Sequence, residues 1–138
     1  HPFRIHAWVQ LPDHLHCIWE MPCHDGDYGK RWGQIKLLTT RACPQYHLSS
    51  SVMPYSKQKR HEKGIWQRRF YEHHIRNDND MQRHMDYLHY NPVKHGYVQN
   101  VADWQYSSFH RLVREGIYPS DWGANGNVIS YNSEDFGE

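Results

Sequence analysis

Cysteine is scarce in this 138-residue chain: the three cysteines are an odd number, and none of them forms a Cys-x-x-Cys motif. This argues against a disulfide framework and fits a reducing compartment. No apolar run approaches membrane-spanning length, and no charged-then-apolar leader is visible. We therefore expect a soluble, intracellular protein with one compact domain and one modest core.

Basic residues are absent from the last twenty positions, whereas all 16 lysines and arginines lie in residues 1–118. The acidic residues after position 118 are Asp121, Glu134, Asp135 and Glu138. A basic body with an acidic tail favours a polyanionic partner, and the alternative is an ordinary solvated surface. We predict a domain over residues 1–123 and an irregular acidic tail over 124–138.

The hydrophobic pattern changes between a strand-like and a helix-like period along the chain. The predicted strands are 5–10, 14–20 and 65–76, and the predicted helices are 28–43, 80–91 and 101–115, with a mobile loop over 47–64. Asn77 to Asp80 offer N-cap candidates for the second helix, and Pro92 is expected to end it at Asn91. This order predicts an α+β domain whose antiparallel sheet is covered by helices on one face.

Two histidines lie two residues apart in the second predicted strand, at positions 14 and 16. Because successive strand side chains point to opposite faces, His14 and His16 are expected on one face, where two imidazoles can chelate one metal ion. The alternative is a pair of half-exposed strand histidines that bond neighbouring groups or water.

The helix predicted over 80–91 has a core-facing stripe at about 100° per residue. That stripe comprises Met81, Met85 and Leu88. Tyr90 is expected to point away, whereas Tyr87 and Asn91 are neighbours on a flanking strip that can face the histidine pair. Asn91 offers a carbonyl oxygen as a third metal ligand, and Tyr87 offers a hydroxyl for a phosphate on the same ion. The alternative is a surface tyrosine beside a helix-ending asparagine.

Cationic and aromatic residues alternate between positions 57 and 76. Cations neutralise phosphates and aromatic rings stack on unpaired bases, so this mixture suits single-stranded nucleic acid. The alternative is a solvated loop with aromatic core residues. The residues that we assign to DNA binding are Arg60, Lys63, Trp66, Arg68, Arg69, Arg76 and Lys94.

Four segments together resemble the REP-associated tyrosine transposases, which belong to the HUH single-tyrosine nuclease superfamily. They read LPDHLHCIWEMP, WQRRFYEHHIRN, MDYLHYNPVKHGYV and DWQYSSFHRLVREGIYPSDW. The resemblance spans about residues 3 to 122 and implies a ferredoxin-like antiparallel sheet with helices on one face, of the HUH nuclease type. The family pattern begins with a further strand and a long helix before the position of Phe3, and neither is visible here.

The resemblance also implies the site and its chemistry. The family's nucleophilic tyrosine falls on Tyr87, its metal-binding pair on His14 and His16, and the third ligand on Asn91. Either the metal or a nearby base must help to remove the phenolic proton, and His84 is a candidate for that base. The implied activity is cleavage and rejoining of single-stranded DNA at REP-type hairpins, with Mg²⁺ or Mn²⁺ and a 5′-phosphotyrosine intermediate. The implied setting is the bacterial cytoplasm and nucleoid, without a membrane, and a monomer is slightly favoured over a homodimer.

Two rival interpretations stay open. One is a DNA-hairpin-binding protein without catalysis. The other is a zinc protein that uses Cys17, Cys23, His24 and nearby histidines, although this spacing fits no familiar zinc knuckle. Because the body is basic and the tail acidic, we also hypothesise that the tail lies against the basic DNA-binding surface and slows the binding of DNA.

Overall fold

The computed structural model of the chain describes residues 2–49, 51–60, 63–124 and 132–136. Its elements are the strands β1 (Arg4–Gln10) and β2 (Leu15–Glu20) and the helices α1 (Tyr28–Ala42), α2 (Tyr55–Gln58), α3 (Asp78–Lys94) and α4 (Phe109–Arg114). Short 3-10 helices occupy Pro44–Tyr46, Val101–Asp103 and Ser133–Phe136. None of the helices in these ranges is long and apolar enough to cross a membrane.

The chain divides into two compact units. The helical unit is Met21–Phe70, and the hairpin unit combines Pro2–Glu20 with the described residues from Tyr71 onward. In the helical unit, the prediction of a helix over 28–43 is confirmed, and the carboxylate of Asp27 caps it by accepting a hydrogen bond from the backbone N–H of Lys30 (2.8 Å). The segment predicted as a loop contains the single-turn helix α2.

The predicted hairpin is confirmed as an antiparallel pair of β1 and β2. Its turn is closed by a hydrogen bond from Leu11 N to the carbonyl of His14 (2.9 Å), so β2 begins one residue after His14. Ala7 and Val9 of β1 are fully buried, and Val9 lies opposite His16. Directly paired residues share a face of the sheet. Since α3 packs against both strands, His16 is on the side of the hairpin that faces this helix.

The core of the hairpin unit forms between β1, α3, α4 and the segment that follows α3. Its members are Ala7, Val9, Leu11, Met85, Leu88, Tyr90, Val101, Phe109, Leu112 and Tyr118, with Met81 partly buried against them. The predicted core stripe of α3 is therefore confirmed. The expected outward direction of Tyr90 is wrong, because the chain after α3 returns over that side of the helix and places Trp122 edge-on to the Tyr90 ring, 6.4 Å between centroids.

The third strand predicted over 65–76 is wrong: within the described ranges the sheet has two strands. The outer edge of β1 is instead bonded by the backbone of residues 106–108, with 2.8 Å from Gln10 N to the carbonyl of residue 106 and 2.9 Å from the N–H of residue 108 to the carbonyl of Trp8. The first part of the predicted strand, up to Phe70, belongs to the helical unit. An alternating pattern alone could not show that another segment takes this edge.

The boundaries of α3 differ from the prediction at its C-terminal end. Its N-cap is Asn77, as expected, whose side chain accepts from the N–H of Asp80 (2.9 Å). Pro92 does not end the helix, which runs to Lys94. A proline lacks the N–H donor, but its carbonyl can still accept a hydrogen bond. Here the Pro92 carbonyl accepts one from the N–H of Tyr97 (2.9 Å). Gly96, at a φ of +75°, then turns the chain out of the helix.

In the C-terminal part of the chain, the structure matches the predicted elements only in part. The helix predicted over 101–115 is two shorter pieces, the 3-10 helix Val101–Asp103 and α4. Of the predicted irregular tail, residues 125–131, 137 and 138 lie outside the described residues. Its described part contains the 3-10 helix Ser133–Phe136. The predicted boundary between domain and tail at 123/124 stays a prediction.

Candidate functional site

His14 and His16 lie close together at the start of β2. The ring centroids of His14 and His16 are 5.0 Å apart, in an edge-to-face arrangement at 84°. Nδ1 of His14 lies 2.6 Å from a carboxylate oxygen of Asp13. This hydrogen bond lowers the pKa of the Asp13 carboxyl. A carboxylate at one ring nitrogen fixes the direction of the imidazole, as it does for many metal-binding histidines.

Asn91 of α3 reaches the histidine pair. It is fully buried, and its amide nitrogen lies 3.4 Å from Nε2 of His16. The oxygen and nitrogen of an amide exchange places by a half-turn of the group. With the oxygen toward His16, two lone-pair donors converge at a separation that two ligands of one ion can have. His16 and Asn91 could therefore hold one divalent cation between them, and the ring of His14, 5.0 Å from that of His16, is the candidate for a third ligand.

Tyr87 lies one helical turn before Asn91, on the same side of α3. Its ring centroid is 5.9 Å from that of His16, with the planes at 87°. Nζ of Lys94 donates a hydrogen bond to the Tyr87 hydroxyl (2.8 Å) and lies 4.8 Å from the ring centroid. A cation at this distance favours the phenolate over the neutral phenol. Lys94 is among the residues predicted to bind DNA, and its contact with Tyr87 was not predicted, although the i to i+7 spacing places both residues on one side of a helix.

The ring of Tyr87 is covered by a residue of the predicted tail. Phe136 stacks on it with 4.0 Å between ring centroids and 6° between the planes, and only 3% of Tyr87 is exposed. The sequence placed Tyr87 at the edge of the core, and it is not a member of the core cluster. The segment is also held by Tyr71, whose hydroxyl donates to the carbonyl of Asp135 (3.2 Å), and by Arg83, 3.7 Å from the Asp135 carboxylate.

A second cluster lies at the first two turns of α3. Nitrogen atoms of His73 and His84 lie 2.8 and 3.2 Å from the two carboxylate oxygens of Asp80, and the imidazole rings stack at 4.3 Å. The hydrogen bond with His73 is the main cause that lowers the pKa of Asp80 to about 2. Donor atoms of the three residues lie within 4.8 Å of one another, so this group could also hold a metal ion.

His84, the candidate base, does not contact the hydroxyl of Tyr87. Its Nδ1 is occupied by Asp80, and its Nε2 is buried without a hydrogen-bond partner among the described residues. The group at the Tyr87 hydroxyl is the cation of Lys94. The zinc interpretation also finds no support here, because Cys17, Cys23 and His24 form no cluster of metal ligands among the described residues.

The predicted DNA-binding residues are distributed over both units. The helical unit contains Arg60, Lys63, Trp66, Arg68 and Arg69, and the hairpin unit contains Arg76 and Lys94. The four basic residues of this predicted set in the helical unit are exposed, whereas Trp66 is half-buried and its indole N–H donates to the hydroxyl of Thr40 (3.1 Å). Arg76 is exposed and lies 3.9 Å from Asp80. Their role in DNA binding stays a prediction.

Comparison with known proteins gives consistent matches, although no family model matches the chain. The REP-associated tyrosine transposase of Escherichia coli (strain K12) is 46% identical over 132 residues, which are 96% of this chain and 68% of that protein. A putative REP-associated tyrosine transposase of Haemophilus influenzae is 49% identical over 125 residues, 91% of this chain and 69% of that protein.

A solved structure of a REP-associated tyrosine transposase bound to a REP hairpin has the same fold. It superposes with a TM-score of 0.74 at 46% identity, over 94% of this chain and 68% of that one. The predicted fold class, an α+β domain with an antiparallel sheet, is thereby confirmed. With identities of this size over two thirds of each relative, the chain belongs to the REP-associated tyrosine transposases.

Proposed function

We propose that this chain cuts and rejoins single-stranded DNA at REP-type hairpins, with Tyr87 as the nucleophile. One arrangement carries the proposal. The Tyr87 hydroxyl accepts a hydrogen bond from Lys94 (2.8 Å), the Tyr87 ring lies 5.9 Å from that of His16, and Asn91 lies 3.4 Å from His16. The substrate class follows from the relatives, one of which is bound to a REP hairpin. With such a substrate, we expect the protein to act at the bacterial nucleoid, in the cytoplasm.

His14, His16 and Asn91 are the proposed ligands of a divalent cation, Mg²⁺ or Mn²⁺. Imidazole nitrogen and amide oxygen together suit Mn²⁺, and the oxygen-preferring Mg²⁺ would draw its other ligands from phosphate and water. When bound, the ion supplies Lewis-acid stabilisation of charge on the scissile phosphate. Asp13 holds the ring of His14 in place through the 2.6 Å contact at Nδ1.

The phenolic oxygen of Tyr87 forms a bond to phosphorus while the bond from phosphorus to the 3′ oxygen breaks. The products are a 5′-phosphotyrosine and a 3′ oxygen that takes up a proton. A free phenol has a pKa of about 10, so ionisation must be assisted at neutral pH. Lys94 assists it electrostatically, and the phenolic proton passes to solvent. Because the phosphotyrosine conserves the phosphodiester, attack by a 3′ hydroxyl rejoins the strand without ATP.

The test is formation of a covalent protein–DNA adduct. The chain is incubated with a REP-type hairpin in single-stranded DNA and Mn²⁺, and adducts are separated on a denaturing gel. We expect an adduct with the unaltered chain and none with Tyr87→Phe, which keeps the ring and loses the nucleophile. Tyr46→Phe is the matched control, because Tyr46 is an exposed tyrosine of the helical unit. Full cleavage by Tyr87→Phe would refute the assignment.

A second candidate function, hairpin binding without cleavage, is favoured by one observation. The ring of Tyr87 is buried under Phe136, so the phosphate cannot reach it along that face without movement of the 132–136 segment. Hairpin binding without any adduct, both in the unaltered chain and in Phe136→Ala, would support this alternative.

A further inference from the structure

Four aromatic side chains form a continuous row that begins beside the histidine pair. We call His95, Tyr97, Trp104 and Tyr106 the aromatic row. His95 lies 5.3 Å from the ring of His14, and successive centroids along the row are 6.1, 5.6 and 5.9 Å apart. The row therefore leads away from the candidate metal ligands along the surface of the hairpin unit.

Hydrogen bonds connect the aromatic row to β1. The indole N–H of Trp104 donates to the carbonyl of Gln10 (3.0 Å), and the N–H of Gln10 donates to the carbonyl of Tyr106 (2.8 Å). The two tyrosines on either side of Trp104 are nevertheless exposed, Tyr97 by 44% and Tyr106 by 53%. The indole of Trp104 is thus fixed in place, and the exposed tyrosine rings lie 5.6 and 5.9 Å from it. Order that exists before binding lowers the entropic cost of binding.

The charge of this segment differs from that of the predicted basic set. Residues 95–106 contain no lysine or arginine, and their one acidic residue is Asp103. Such a surface presents aromatic rings but no lysine or arginine side chains that could neutralise phosphates. Exposed π-faces without cations suit unpaired bases, which stack on aromatic rings whatever their identity, whereas paired bases in a stem have their faces already covered.

We infer that the aromatic row binds unpaired bases of the DNA strand that flanks the hairpin, on its way to Tyr87. This inference rests on the proposed function for the direction of the strand, but the binding itself does not require cleavage. Tyr97 and Tyr106 offer exposed rings to the bases, and Trp104 lies between these two rings. His95 joins this track to His14, so the row continues directly into the proposed metal site.

The test measures binding in the absence of chemistry. All variants carry Tyr87→Phe, divalent ions are removed with EDTA, and the affinity for a fluorescent REP-type hairpin is measured by anisotropy. One probe is the blunt hairpin. The others carry a single-stranded extension of about eight nucleotides, within the range of single-stranded binding sites, on the 5′ or the 3′ side.

Replacing both Tyr97 and Tyr106 by alanine is expected to weaken binding of an extended hairpin by about tenfold or more, with no effect on the blunt one. The slope of affinity against salt concentration should stay the same, since no phosphate contact is lost. Phenylalanine at both positions should restore the affinity, because it keeps the rings. The matched control replaces Tyr46 and Tyr55, exposed tyrosines of the helical unit, by alanine.

Three results would overturn the inference: unchanged affinity of the double alanine variant for both extended hairpins, an equal loss on the blunt hairpin, or a loss shared by the control. Thermal unfolding of each variant separates lost binding from lost folding, and the phenylalanine variant keeps the test decisive if alanine disturbs the fold. Adduct formation is measured separately, with Tyr87 present and the row intact. Its failure would refute the proposed function and leave the binding result standing.

Discussion

Removal of the ring that covers Tyr87 is expected to accelerate adduct formation. In Phe136→Ala, the side chain that stacks on Tyr87 at 4.0 Å is lost, while the rest of the 132–136 segment keeps its sequence. DNA can reach the phenol along this face only when the segment has moved. The substitution should therefore raise the fraction of molecules in which the phenol is open, without changing the nucleophile.

The size of the effect follows from what Phe136 contributes. A stacked aromatic pair is worth about 0.5–1.5 kcal/mol, and burial of a phenylalanine side chain about 2 kcal/mol. Phe136 is almost fully buried, so most of this applies. Together they stabilise the covered state by about 3 kcal/mol, which corresponds to roughly a hundredfold in an equilibrium constant. Below saturating DNA, the rate of adduct formation should rise by up to that factor.

The assay follows adduct formation over time with a REP-type hairpin and Mn²⁺ at low and at high salt. Phe136→Leu, which keeps apolar burial but loses the stack, should give an intermediate rate. The gain should persist at high salt if stacking covers the phenol. It should shrink with salt if the acidic tail acts through charge, for example through the pairing of Asp135 with Arg83. Equal rates for Phe136→Ala and the unaltered chain would refute the reasoning.

Three further substitutions or conditions test the site and its support. Replacing His14 and His16 together by alanine should abolish metal-dependent adducts and leave hairpin binding in a gel shift, and undiminished adduct formation would contradict the metal assignment. Lys94→Met should lower the adduct rate about tenfold or more at neutral pH, with partial recovery at higher pH where the phenol ionises unaided; an unchanged pH profile would exclude the electrostatic role. Burial lowers the pKa of His89 to about 4 from 6.5, so the unfolded chain takes up the proton first as the pH falls. The stability that this provides is complete above pH 6.5 and declines between about 6.5 and 4, by up to ~3 kcal/mol. Urea unfolding checks this, and His89→Gln should flatten the decline; the same pH dependence in both proteins would count against it.

Several features of this protein could be predicted from the sequence because they depend on near neighbours. The two-residue spacing of His14 and His16 needs only the pleat of an extended chain. The four-residue spacing of Tyr87 and Asn91 needs only the pitch of a helix. The hairpin, α1 and the core stripe of α3 follow from the same local periodicities, and the motifs carried the family resemblance. These residues are also the ones that the fold brings together.

Tertiary structure alone decided what surrounds them. Phe136 lies 49 positions after Tyr87, and no local pattern could show that it returns to cover that ring. The segment 65–76 alternates like a strand, yet the edge of β1 is bonded by the backbone of residues 106–108, which lie farther along the chain. Periodicity along a chain reports which face of an element is apolar. It does not report which distant segment packs there, because that choice depends on the whole set of competing contacts.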